Sequence, residues 1–415
     1  MKNKNFIIVV IGQIISLFGN AIQRFCMSLY ILDLTGSAAI FSTILAISNI
    51  PYILFAPIAG LLADTVNRKK IMVYLDFISS LLLAIYSIVL INGMDNVMIV
   101  GIVMFILSII YTLYSPSVTA CIPQIVDKEK LASANGIIQQ VGAIVNLLGP
   151  IVAGILYSFF DIKVIVMINA VSFFISAILE MFLQIPSLEL KEKIKNPILK
   201  SFSEMKKSFI YLREKKKIVL GIIASYGLTN IFVVPILSIV SPYFIKVELS
   251  MSSAVYGFVE AIFVLGMIIG GLLVTFKPKM FKMKDIHKTM YPMIIAIMAM
   301  AISTYLTTES KFVILGIYSM GGLGIMLSLA LSNVVSLTYI QSEIKEEMLG
   351  RVSAFSTAVA TVSIAPGQLI YGQLIDFNFK LYYVLVLTFL LSIAVVNFVK
   401  WNARRDLAMK KIEYL

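Results

Sequence analysis

The side chains able to do chemistry in this sequence are few and oddly placed. Glu260 stands in the apolar run Ser253–Phe276, about seven residues in, or roughly 10 Å from its end at 1.5 Å per residue. A carboxylate there can take up and release a proton, and ionisable groups inside a membrane are costly enough to mark function. Arg24 lies late in the run Phe6–Leu32, and Asp33 follows at its end. Arg24 can pair with Glu260 or Asp33, contact an anionic substrate, or snorkel outward. Glu260, Arg24 and Asp33 are the proton-coupling candidates. Asp76 is expected to face a loop at one end of its span, and Glu180 to sit at the membrane interface. Other chemistry is poorly served. One histidine, His287, and two cysteines leave no His-based metal centre, catalytic triad or disulfide framework. No G-x-x-x-x-G-K-[ST] phosphate loop is present. No clustered acidic motif stands ready to hold a metal-bound pyrophosphate. The chain is therefore expected to be no enzyme, to need no cofactor and to bind no metal.

These residues must be positioned by long apolar elements. Of the 415 residues, 60% are apolar and 13% charged. A soluble domain has about 45–50% and about 25%. Twelve runs approach the ~20 residues needed to cross a ~30 Å hydrocarbon core. They are Phe6–Leu32, Ala38–Leu62, Ile71–Ile91, Val97–Tyr114, Leu131–Phe160 and Val164–Leu183, then Ile218–Ile245, Ser253–Phe276, Met290–Leu306, Phe312–Ile340, Val352–Ile375 and Tyr382–Val399. Cytoplasmic loops of membrane proteins are rich in Lys and Arg. With the N-terminus inside, 29 of the 34 basic residues fall on the cytoplasmic side, four fall outside and Arg24 lies within a span. The expectation is an all-α integral membrane protein of twelve transmembrane helices with both termini cytoplasmic. The net charge of +12 is then explained by orientation, and no nucleic acid partner is expected.

The chain divides 6 + 6. Residues 1–185 form a first six-helix bundle, 186–217 a cytoplasmic linker, 218–403 a second bundle and 404–415 a basic tail. Within the linker, Ile198, Phe202, Met205, Phe209 and Leu212 recur at helical spacing. They predict an amphipathic helix lying on the membrane surface. The halves echo each other. GLLADTVNRKK begins at Gly60 and GLLVTFKPKMFK at Gly271, 211 residues later. Gly149–Pro150 and Pro366–Gly367 mark a second correspondence, 216 residues apart from proline to proline. Six is an even number, so the repeats are parallel, and such repeats rock about a central site.

The loop after the second span carries Gly60, Leu62, Ala63, Asp64, Asn67, Arg68, Lys69 and Lys70. It resembles the signature loop of the major facilitator superfamily, with Asn67 where a glycine is usual. The resemblance implies a major facilitator fold and a polar latch. Asp64 and Arg68 would engage the start of the eleventh helix near Gly350 and Arg351. Gly60 would let helices approach closely. LDLTGSA at 32–38, NIPYILFAPIAGLLAD at 49–64 and LGRVSAF at 349–355 resemble the macrolide-efflux group of drug:proton antiporters. The fifth span, GAIVNLLGPIVAG, is similar to the glycine-proline motif of exporters, through Gly142, Gly149, Pro150 and Gly154.

In this superfamily the first, fourth, seventh and tenth helices line the cavity. The resemblance therefore offers Gln13, Asn20, Gln23, Tyr111, Tyr114, Tyr226, Asn230 and Asn333 as cavity candidates. The fourth span lacks the arginine that many drug-proton exporters carry there. An apolar cavity with a few amides and aromatics suits a bulky amphipathic drug better than a sugar, whose hydroxyls need many polar partners. The expected function is proton-coupled efflux of a small macrolide-like molecule by alternating access. Export of a siderophore or other metabolite, and uptake by symport, stay open. Membrane lipid and protons are the other expected partners. The expected form is a monomer in the plasma membrane of a Gram-positive bacterium.

Overall fold

A computed structural model describes residues 3–185, 197–277, 280–281, 283–306 and 310–413. Among them there are helices and no strands. In the first half run α1 (Lys4–Thr35), α2 (Ala38–Leu54), α3 (Ala56–Thr65), α4 (Arg68–Ile91), α5 (Val97–Ile125), α6 (Leu131–Phe159) and α7 (Ile162–Met181). Then come α8 (Pro197–Lys215) and α9 (Lys217–Phe232), with α10 (Ser241–Tyr243) between two wider π turns, Ile236–Val240 and Phe244–Glu248. The remainder is α11 (Ser253–Phe276), α12 (Tyr291–Tyr305), α13 (Lys311–Glu343), α14 (Glu346–Asp376) and α15 (Leu381–Glu413). Among the described residues, eleven helical stretches are long and apolar enough to cross a membrane, and Ala38–Leu54 is a shorter apolar helix.

Local chemistry sets the helix ends. Asn3 accepts from the backbone of Asn5 and Phe6 to start α1, and Gly36 ends it at φ +62°. Asn67, Asn96 and Asp161 cap α4, α5 and α7 in the same way. Two expected spans are interrupted. The second, read as Ala38–Leu62, is broken at Phe55 between α2 and α3. Pro51 and Pro57 flank the break and supply no N–H. The seventh, read as Ile218–Ile245, leaves α-helical winding after Phe232. Pro235 and Pro242 remove two backbone donors there, and the π turns re-aim the remaining bonds.

The chain forms two compact units. One holds residues 1–36, 47–201 and 252–258; the other holds 37–46, 202–251 and 259–415. In the first unit, Phe6, Val9, Met72, Tyr114, Val118, Cys121 and Ile125 share one core. In the second, Leu212 of α8 packs with Ile218, Ile222, Ile340 and Val352. The helix expected in the linker is present as α8. Leu212 is fully buried against its own unit, while Phe209 remains 40% exposed beside Phe355. This end of the apolar stripe packs on protein. The side chains of Ile198 and Phe202, and residues 186–196, lie outside the described residues.

Candidate functional site

Two stripes of α1 carry different chemistry. Gly12, Ser16, Gly19 and Gln23 repeat at 4, 3 and 4 residues and are all buried. The matching stripe on α7 is Asn169, Phe173, Ser176 and Glu180, also buried. Residues three and four apart share a helix face, so the two stripes lie against each other. Gly12 sits against Ser176 and Glu180, and Gly19 against Phe173 and Asn169. Asn169 donates to Gln23 at 2.7 Å. Gln23 is therefore buried against α7, with its amide oxygen taken by Asn169.

The polar chain continues at the other end of the stripe. Ser16 Oγ donates to Asp76 Oδ2 of α4 at 2.8 Å and lies 2.8 Å from Ser176 Oγ. Ser176 Oγ also reaches the carbonyl of Gly12, at 3.3 Å. Tyr114 of α5 donates to Glu180 Oε1 at 2.7 Å. Tyr114, a cavity candidate, is thus turned inward onto a carboxylate. Asp76 and Glu180 are 2% and 0% exposed. Asp76 bonds to Ser16 of α1, and Glu180, one residue from the end of α7, is covered by protein. The available signal was the shared 3–4 spacing of small and polar residues in the first and sixth spans. It marks a packed polar seam but not its partner on α4.

The second stripe of α1 holds Gln13, Asn20 and Arg24, spaced by seven and four. Gln13 and Asn20 are half-buried and Arg24 is exposed. Asn20 ties its amide to the carbonyl of Ser16 at 2.8 Å. The charge of Arg24 is felt at the Tyr111 hydroxyl, and the Tyr111 ring meets Tyr52 edge-on at 6.0 Å. The first unit thus presents amides, a guanidinium and two aromatic rings on one face. Asp33 is exposed at the end of α1 and accepts from Tyr157 at 3.0 Å.

In the second unit, Tyr226 and Asn230 lie one turn apart on α9. Asn230 donates to the carbonyl of Ala360 at 2.7 Å. Asn333 is exposed on α13, and Glu260 is half-buried on α11.

The loop and glycine motifs have mixed geometry. Arg68 Nε donates to the carbonyl of Ala63 at 2.9 Å, and Nη1 to that of Ala120 at 2.7 Å. Its fork thus bridges a carbonyl of α3 and one of α5. The side chain of Asp64 lies outside those described. A Cβ at Gly60, Gly142 or Gly350 would meet nothing within 4 Å, so close packing does not require glycine at these positions. Gly149 packs on Ala21, where a Cβ would come within 3.1 Å. Gly154 is tighter: a Cβ there would lie 2.5 Å from the carbonyl oxygen of Ser253. Arg351 pairs with Glu204 of α8 at 2.8 Å.

Known proteins match this architecture. The sequence pattern of the Major Facilitator Superfamily covers residues 9–368. Macrolide efflux protein A of Streptococcus pyogenes is 27% identical over 387 residues, 93% of each chain. The protein of the same name from Enterococcus faecalis is 28% identical over 337 residues, 80% of this chain and 99% of that one. Among solved structures, a bacterial homologue of the iron transporter ferroportin superposes with a TM-score of 0.70 at 16% identity, covering 97% and 99% of the two chains. With its spans and signature loop, this chain belongs to the major facilitator superfamily, a multi-pass transporter of the bacterial plasma membrane and not an enzyme.

Proposed function

We propose that this transporter exports bulky hydrophobic or amphipathic drugs of the macrolide type, by alternating access and at the expense of a proton gradient. One observation carries the reading. Relatives named macrolide efflux protein A match almost end to end, so the likeness includes both repeats and not the signature loop alone. The chemistry of the first unit's face agrees with it. Arg24, Tyr111 and Tyr52 offer aromatic area and few hydrogen bonds, which suits a large, weakly polar ligand. Glu260 remains the coupling carboxylate proposed for the second unit. Asp64, Arg68, Gly350 and Arg351 are proposed to gate the basic end of the bundle, the cytoplasmic side on the positive-inside argument.

The test is drug accumulation in efflux-deficient cells expressing this chain. A macrolide, a tetracycline and a cationic dye are compared with and without an uncoupler. Macrolide accumulation is expected to fall, and the uncoupler to restore it. Unchanged accumulation with the protein present in the membrane would sink the drug assignment and leave metabolite export or uptake. Asp64→Asn is expected to cut efflux at normal expression, and normal flux in that variant would remove the latch.

A further inference from the structure

Asp76 and Glu180 are the carboxylates most completely buried among the described residues. Both lie within helices long enough to span a membrane. The donors around them can be counted. Ser16 gives its single proton to Asp76 Oδ2. Ser176 then gives its own to Ser16 Oγ or to the Gly12 carbonyl. Tyr114 gives its proton to Glu180 Oε1. No hydroxyl proton is left over, and Glu180 Oε2 has no hydrogen-bond partner. Among the described residues, no Lys, Arg or His forms an ion pair with either acid.

Two ionised carboxylates in this cluster would repel each other without a counterion. The ionisable groups that face them are Tyr114 and Cys121, both from α5. α1 contributes only Gly12 and Ser16, and α7 adds Ser176 beside Glu180. Arg68 is near enough to act on Cys121, but its donors are spent on the carbonyls of Ala63 and Ala120. One bound proton removes the repulsion and supplies the donor the cluster lacks.

We infer that Asp76 and Glu180 form a proton-binding site inside the first unit, holding one exchangeable proton between them. This is separate from Glu260, which lies in the second unit. The inference deepens the proton-coupled reading and rests on it only for the use of that proton in transport. On protonation, the new O–H on Glu180 or Asp76 donates within the cluster. On release, the proton leaves to water and the pair regains a negative charge.

The experiment is infrared difference spectroscopy of the full-length protein in lipid vesicles across a pH series, reading the carbonyl stretch of protonated carboxyls. A band that titrates is expected in the unmodified protein. It is expected to be lost in the Asp76→Asn/Glu180→Gln double variant, with a thermal transition like the parent's. Ser16→Ala, which removes one donor and no acid, is expected to move the midpoint by about one pH unit. In the same vesicles, pH-driven erythromycin export is expected to be lost in the double variant. A titrating band that survives the double substitution overturns the site. So does a band that responds to sodium at fixed pH, which would indicate a cation site. If erythromycin does not move at all but the band titrates and is lost as described, the drug reading has failed and the proton site stands.

Discussion

In the second unit, buried polar side chains meet as neutral hydroxyl pairs: Ser241 with Tyr318 at 2.9 Å, Thr289 with Ser332 at 2.8 Å, and Tyr371 with Thr388. In the first unit, two buried hydroxyls are aimed at carboxylates: Ser16 at Asp76 and Tyr114 at Glu180. Helices of similar length and apolarity carry both sets, so packing alone does not call for the acids. Hydrogen bonds between helices in a membrane average about 0.6 kcal/mol, and rarely exceed ~1.7. An ion kept from water costs several kcal/mol unless it is compensated. Hydroxyl pairs therefore suffice to stitch helices together. The acids impose a cost on the first unit that stability does not explain, and the inferred proton site would account for it.

The comparison breaks most sharply when each network is made apolar. Replacing Asp76 and Glu180 by leucine is expected to abolish the pH dependence of efflux while leaving thermal stability equal or higher, because apolar replacements of buried ions are often neutral or stabilising. Replacing Tyr371 by Phe and Thr388 by Val is expected to do the reverse. Efflux keeps its pH dependence, and stability falls by about 1 kcal/mol for the lost bond. Export rates at several pH values, together with thermal transitions in detergent, check both arms. Equal loss of pH dependence in the two variants would end the distinction.

A second contrast concerns the glycines that make room. A Cβ on Gly12, beside the acid cluster, would stand 3.4 Å from Glu180 Oε1, an ordinary contact. On Gly367 of α14 it would collide with the carbonyl of Ile231, part of the α9 backbone and unable to step aside. Gly367→Ala is thus expected to destabilise the second unit by about 1–3 kcal/mol, the usual range for overpacking. Gly12→Ala is expected to change stability little. The yield of folded protein and the thermal midpoint separate them.

Much of this was readable in the residues. Apolar runs and the Lys/Arg distribution marked the spans, and Gly60 with Asp64 and Arg68 marked the superfamily. The breaks at Phe55 and beyond Phe232 had their cause in plain view, in Pro51, Pro57, Pro235 and Pro242. The acid cluster was less accessible. Asp76 and Glu180 are far apart in the chain, and each alone looks like a residue near a helix end. Their joint burial depends on which face of α4 and α7 turns inward, which hydropathy cannot report because every face of such a helix is apolar. The burial of Gln23 and Tyr114 was hidden for the same reason. Membership of a cavity-lining helix does not say which of its faces lines the cavity.

The smallest effect is expected from the exposed ion pair of the second unit. Glu204 and Arg351 meet at 2.8 Å with side chains 25% and 50% exposed. Water competes for both groups, and holding two long side chains in one geometry costs entropy, so such pairs contribute about 0–1 kcal/mol. α8 is held chiefly by Leu212, which is wholly buried. Glu204→Gln should therefore shift the thermal midpoint only slightly, and the shift should shrink as salt screens the pair. Leu212→Ala should cost about 2–5 kcal/mol and be indifferent to salt. A large, salt-sensitive loss in Glu204→Gln would show instead that charge holds α8 in place. The contrast between the two units would then narrow, with charge structural in one and functional in the other.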